Sequence, residues 1–558
     1  MRTRPRSWLT VLLMLVLAAA AGCGSKSSGG GTAGNVVKGG VLRMGVSSTI
    51  DSLNPFVSFQ ATSSWVYTNI YPYLVNYDAD FNFVPYFAQS WTQSPDGRTW
   101  TFHTVPNAKW SDGQPLTARD VAWELSTIVK FQDDATAMLA NTVTHLKSAE
   151  ATDDNTLVLH YSQPVANVLS QLIQVYILPQ HVWEPLAKGD AKGLKTYANT
   201  PTGGKPLVSG GPFMLTRYQK DQLALMQRNP NWWGPTKPNV DGVGVQIFAN
   251  DDAMLTAFKH GQLDAVSDVP STAVSSLRSG GFNLSSTPGN FFYDFIINSN
   301  PKKTNHRELL NPTLRQAFEY AIDRQQIVKV ALNGEGQPGT TIVPPSTGKW
   351  HDPNVKPLPF DLAKANQLLD GLGYKKGANG IRVAEGHPMQ YQIIVPTSRT
   401  SQLTPTFRII QSDFRQIGVS VSEKVLDPNA AFAAITDPDN KYLSFDLSMW
   451  DWIPESDPDY IISVLTCDQY GNNSDSGYCN PSYDALYKQQ GVTIDQGKRL
   501  QLIYQAQEMV ANDRPYIVMS YPNVVDAYSK KWAGFYNAPG YGLFDLVQTT
   551  LQVHRTGQ

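Results

Sequence analysis

The 558-residue sequence is short of cysteine, charge and long apolar runs. Cysteine occurs three times and charged residues make up 16%. The longest apolar run, WLTVLLMLVLAAAA at 8–21, is 14 residues, where a membrane span needs about 20. It therefore reads as the core of an export signal, following Arg2, Arg4 and Arg6. Basic and acidic residues nearly balance, 45 against 47, and no basic stripe occurs, which excludes a nucleic-acid partner. GxSxG, HExxH and P-loop patterns are missing, which removes the common hydrolase and nucleotide-dependent classes. DADFNF at 78–83 starts like a calcium loop but places Phe83 where the loop requires Gly. The nine histidines form no cluster along the chain, so neither a metal nor a cofactor is expected.

The signal ends in AAGC, which resembles a bacterial lipobox with Ala20 in place of the usual Leu. Residues 1–22 are thus expected to be a lipoprotein signal, with Cys23 the lipidated residue. The Gly/Ser-rich stretch 23–37 then forms a flexible tether, since it cannot support a packed core. With Cys23 set aside, Cys467 and Cys479 remain as one pair. In an exported protein such a pair is expected to be a disulfide closing the loop CDQYGNNSDSGYC.

What is present is apolar and aromatic: 41% hydrophobic residues, with 13 Trp, 25 Tyr and 22 Phe. That allows two or three domains over roughly 520 residues and suits a pocket that grips organic ligands. Leu42, Met44 and Val46 alternate as in a strand. Thr117 and Asp120 form a capping box ahead of the apolar face Val121, Leu125, Ile128, Val129. A hairpin is expected from LTRYQ and LALMQR, a strand at 241–250, and a helix capped by Asn250 and ended by Gly261. Further helices begin at Asn311–Pro312, Asp323 and Asp361, and another stops at Gly418 before a strand. Alternating helices and strands give an α/β class.

Six motifs in order, NAKWSDGQPLTARDVAWEL, GGPFMLTRYQ…QRNPNWWG, AFKHGQLDAV, LRQAFEYAIDRQQIV, SYDALYKQQ and QEMVANDRPYIVMSYP, resemble family 5 extracellular solute-binding proteins. These are the dipeptide- and oligopeptide-binding lipoproteins of ABC importers, and the likeness covers residues 40 to 550. The resemblance implies a periplasmic-binding-protein-like fold of two hinged lobes plus an inserted domain. Lobe I would comprise 38–82, 205–290 and 520–558, the inserted lobe II 83–204, and lobe III 291–519. It also implies a monomer, lipid-anchored at the outer face of the cytoplasmic membrane in the periplasmic space. Such a protein captures a small peptide and passes it to ABC permease subunits without chemistry on the ligand.

The segment SMWDWIPESDPDY at 448–460 concentrates the candidate ligand contacts Met449, Trp450, Asp451, Trp452, Glu455 and Asp457. In peptide-binding relatives a Trp-bearing strand pairs with the peptide backbone, and an Asp three residues before the DP or EP dipeptide takes the α-ammonium. Here that position is Pro454, which leaves Glu455 or Asp451 to replace it, or a ligand with no amine. Phe59, Gln60 and Ala61, after the first strand, are expected against the ligand backbone. Phe292, with Phe291 and Tyr293, is expected near the crossover between lobes. Two readings compete with a peptide ligand: an oligosaccharide stacked on Trp450 and Trp452, and a secreted hydrolase using a pair of these carboxylates.

Overall fold

The computed structural model describes residues 36–58, 60–436, 444–470 and 473–557. The expected signal peptide, Cys23, most of the tether and Phe59 lie outside the described residues.

A twelve-stranded mixed sheet runs through the molecule. One edge is the hairpin Phe213–Gln219 and Leu223–Arg228, followed by Gly242–Ile247, Val41–Val46 and Ala265–Val266. The other edge is Ser420–Leu426, followed by Gln390–Pro396, Leu447–Trp452 and Phe292–Ile297. The strand Tyr516–Tyr528 joins the two halves. Its first residues pair with Phe292–Ile297 and its last with Asn283–Pro288. The chain thus crosses between the halves twice, at 288–292 and 520–523. Gly289 stands at this crossing, donating its N–H to the Pro522 carbonyl at 2.9 Å. A Cβ there would lie 2.6 Å from the same oxygen, so only glycine lets the two crossings touch.

A separate four-stranded antiparallel sheet, in the order Ala88–Gln93, Thr99–Thr104, Thr156–Tyr161, Leu146–Asp153, is covered by the helix Ala118–Phe131. That helix starts at the expected capping box, with Thr117 and Asp120 each bonding the other's backbone. Asn250, Asn311, Asp323 and Asp361 also cap the expected helices through their side chains. Leu42, Met44 and Val46 face the core from their strand. The helix Thr400–Gln416 begins about two turns before the apolar stretch FRII at 407–410 and contains Pro405. As the sixth residue it forfeits the one backbone bond to the Ser401 carbonyl.

Cys467 and Cys479 are joined as expected, with Cα atoms 4.5 Å apart. The loop they close carries Asp475, a buried acceptor for the Trp452 indole N–H at 2.9 Å and for the Tyr516 hydroxyl. Closing a loop of this size is worth about 3 kcal/mol in lost unfolded-state entropy. Replacing both cysteines with serine is expected to lower the unfolding free energy by about that amount in urea titration. A reducing agent should lower the parent protein alone.

Candidate functional site

Two adjoining cavities of about 430 and 500 Å³ lie between the described segments, and both are lined by Gln174, Glu455 and Ser456. The smaller is walled by Ala61, Trp65, Tyr67, Tyr176, Tyr541 and Asp545, among others. Tyr176 packs against Tyr67 and Tyr73, with ring centroids 5.1 and 4.8 Å away, so the wall is an interlocked tyrosine surface. No lysine, arginine or histidine lines this cavity among the described residues, whereas two carboxylates do. The Asp545 carboxylate accepts the Trp65 indole N–H at 2.6 Å and the Gly542 N–H at 2.6 Å. Burial nevertheless pushes its pKa up.

Glu455 projects where the cavities meet. Its backbone is left-handed, φ 63°, a conformation that costs a non-glycine residue on the order of 1 kcal/mol. The buried Pro454 precedes it, and Asn290 donates its side-chain N–H to the Glu455 carbonyl at 2.9 Å. Glu455 is exposed towards the cavities, and the protein mass around its carboxyl raises its pKa. Its carboxylate has no hydrogen-bond or ion-pair partner among the described residues.

The neighbouring acids are committed elsewhere. Asp451 accepts a bidentate pair from Arg399, both distances 2.9 Å. Burial alone would lower the Arg399 pKa, but the Asp451 carboxylate outweighs it and holds it above its ordinary value. Asp457 is gripped by Arg499 through two 2.6 Å bonds and receives the Ser170 hydroxyl at 3.3 Å. Asp459 accepts from the Gln490 amide. Of the acids in 448–460, Glu455 is thus the one whose carboxylate has no partner among the described residues.

Several expected contacts turn out to be core. Phe292 and Met449 are fully buried and line neither cavity, because their side chains point into the packing on the faces of the sheet. Trp452 is 7% exposed and spends its N–H on Asp475. Trp450 is half-buried against Phe432, with centroids 6.2 Å apart. The oligosaccharide alternative therefore loses its two-indole platform. Phe291 and Tyr293 meet edge to face with ring centroids 5.9 Å apart and line neither cavity. Gln60 stands at the N-cap of the helix Ala61–Ile70 without a side-chain cap bond. Ala61 does face the smaller cavity. The tyrosines, Gln174 and Asp545 went unpredicted, since they come from three distant segments and only the high Tyr count hinted at them.

Among the described residues, one edge of Leu447–Trp452 is largely unpaired. One side pairs with Phe292–Ile297 along its whole length, while the other pairs with Gln390–Pro396 only at Leu447 and Ser448. Across the cavities Ser456 donates to the Tyr77 hydroxyl, and the Ala166 N–H reaches the Gly491 carbonyl at 2.9 Å. The absence of a histidine cluster along the sequence does not carry over to the fold, which gathers His306, Glu308 and His387 far from the cavities.

These features define a closed, two-walled solute receptor built on a strand-crossed α/β frame. The family model for bacterial extracellular solute-binding proteins, family 5 (middle), matches residues 82–473. The chain belongs to that family, whose members bind solutes and are not enzymes. It is 27% identical over 551 residues to a probable ABC transporter-binding protein of Deinococcus radiodurans, covering 91% of each chain. It is 25% identical over 511 residues to the dipeptide-binding protein DppE of Bacillus subtilis, covering 89% of each. Its fold matches the periplasmic binding protein DppA of Helicobacter pylori, solved with the peptide STSA, at TM-score 0.73 and 23% identity. That match covers 93% of this chain and 98% of the other. No described helix is long and apolar enough to cross a membrane.

Buried acids behind the site make stability depend on pH. Burial raises Asp475 to about 7, and burial followed by the charge of Asp268 raises Asp526 to about 8. Asp294, wholly buried beside Asp475, is pushed well above its ordinary value. In the unfolded chain these groups titrate near 3.9. A raised folded pKa means the folded state holds protons that the unfolded state releases. This contribution is complete below about pH 4 and is lost as pH rises through about 7 to 8. The melting temperature is expected to fall between about pH 4 and 8 from these groups, and Asp294→Asn, which keeps the neutral shape, should shrink that fall.

Proposed function

We propose that this protein captures short peptides in the joined cavities and holds their α-ammonium on Glu455. The observation that carries the reading is the unpartnered Glu455 carboxylate where the two cavities meet, the smaller of which has no cationic side chain among its described lining residues while Lys488 and His145 line the larger. A desolvated ammonium needs such a counter-charge, and Asp451, the other candidate, is already neutralised by Arg399. The unpaired edge at Met449–Trp452 offers backbone groups to an extended peptide without selecting side chains. Two relatives, a dipeptide-binding protein and a binding protein solved with the peptide STSA, support this ligand class.

The working cycle follows from the crossing strands. Residues 38–82, 205–290 and 520–558 act as one lobe, 83–204 as an insert and 291–519 as the opposing lobe. Opening about 288–292 and 520–523 breaks the Ser456–Tyr77 and Ser170–Asp457 contacts, and ligand binding restores them. A monomer anchored through lipidated Cys23 then delivers the closed complex to permease subunits in the membrane.

Calorimetric titration with a free-amine tetrapeptide and its N-acetylated form tests the reading. A charge-assisted hydrogen bond is worth about 1.5–3 kcal/mol. Glu455→Gln should therefore weaken the free-amine peptide by about 10–150-fold and leave the weak acetylated peptide unchanged. Equal affinity of parent and Glu455→Gln for the free-amine peptide would refute the assignment. Failure of any di- to pentapeptide to bind would refute the ligand class.

A further inference from the structure

We infer that His306, Glu308 and His387 form a binding site for one divalent cation of borderline softness, such as Zn²⁺, apart from the ligand cavities. The three side chains offer ligand atoms that all lie within 4.8 Å of one another. His306 Nδ1 is 3.1 Å from Glu308 Oε1, and His387 Nε2 is 3.4 Å from Glu308 Oε2. Bonds of about 2.0–2.2 Å to zinc in a tetrahedron place neighbouring ligand atoms about 3.3 Å apart, so both pairs already stand near coordination spacing. The two imidazoles meet edge to face with centroids 4.8 Å apart, and small ring rotations bring both nitrogens onto one centre.

Hydrogen bonding accounts for only one carboxylate oxygen, Glu308 Oε1, which pairs with His306 Nδ1 at 3.1 Å. The Glu308 side chain is fully buried, and its Oε1 accepts the Tyr391 hydroxyl at 2.8 Å. Its Oε2, also buried, has no hydrogen-bond partner, and neither does His387 Nδ1. A buried, unsatisfied carboxylate oxygen costs about 1–3 kcal/mol or more, which a cation would relieve. The histidine side chains are 25% and 36% exposed, so an ion reaches the site from solvent while the carboxylate forms its floor. Tyr391 would fix the orientation of the liganding carboxylate, as outer-shell donors do in metal sites. The other charges nearby are matched: the Lys303 ammonium lies 3.1 Å from Asp446. Two imidazoles and one carboxylate suit zinc, cobalt or nickel better than magnesium or calcium.

The backbone explains why these residues meet. His306 adopts φ 51° just before the short helix Arg307–Leu310, which turns Glu308 inward. His387 lies in the small hairpin that leads into Gln390–Pro396. That strand and Leu447–Trp452 run parallel, with Ile393 level with Leu447. The cluster therefore lies at the end of the sheet opposite Trp452 and Glu455. A cation there would clip the turn after Phe292–Ile297 to the strand start without touching captured solute.

The test is calorimetric titration of chelator-stripped, tag-free protein with zinc chloride at about pH 7.5, with thermal denaturation in parallel. One saturable Zn²⁺ per chain and a raised melting temperature are expected, with binding weakened when protons compete at about pH 5.5. His306→Ala and His387→Ala, both at partly exposed positions, should each cost at least the 10–100-fold that loss of an outer-shell partner costs. Their zinc-free melting curves should match the parent's. No uptake, or uptake that both variants retain at parental affinity, would overturn the site.

Discussion

The ligand-facing loop hangs from the buried ion pair between Arg499 and Asp457. Their side chains are 1% and 8% exposed, so both charges have left water, a cost repaid only by excellent geometry and further hydrogen bonds. Both are present. Two 2.6 Å bonds join the pair, Arg499 also donates to Gln490 at 3.0 Å, and its guanidinium sits 4.9 Å from the Trp350 ring centre. Asp457 also accepts the Asp459 N–H and the Ser170 hydroxyl. The pair ties residues 453–459 to the helix Gln496–Asp513 and, through Ser170, to the far wall. Glu455 is held between this anchor and Asn290, and its left-handed backbone persists because both neighbours fix it.

From that anchor the acids of 448–460 divide by partner rather than by position. Asp451 belongs to Arg399, Asp457 to Arg499 and Asp459 to Gln490, which leaves Glu455 as the acid at the cavities without a partner among the described residues. Four carboxylates in thirteen residues look equivalent in sequence, and three of them are structural. The disulfide loop adds a second layer, since its Asp475 takes the Trp452 indole and so turns an apparent stacking residue into core.

Much of the frame was legible because it is encoded locally. Thr117 with Asp120, Asn250, Asn311 before Pro312, Asp323 and Asp361 each cap a helix through contacts spanning a few residues. The alternation of Leu42, Met44 and Val46 is equally local. The early start of Thr400–Gln416 was hidden because Pro405 reads as a breaker unless its place in the helix is known. The site was legible only in part. Glu455 and Ala61 reach the cavities, but Phe292 and Met449 are indistinguishable in sequence from lining residues until the side-chain faces of the sheet are known. The tyrosine wall and the His306–Glu308–His387 cluster depend on long-range packing, which no local spacing encodes.

The central claim is that the cavities hold a peptide, and native mass spectrometry of gently purified protein addresses it most directly. The account predicts a ladder of released masses belonging to di- to pentapeptides with free amino termini, reduced in Glu455→Gln. Released species spaced by hexose units, or adducts with no amino group, would contradict it.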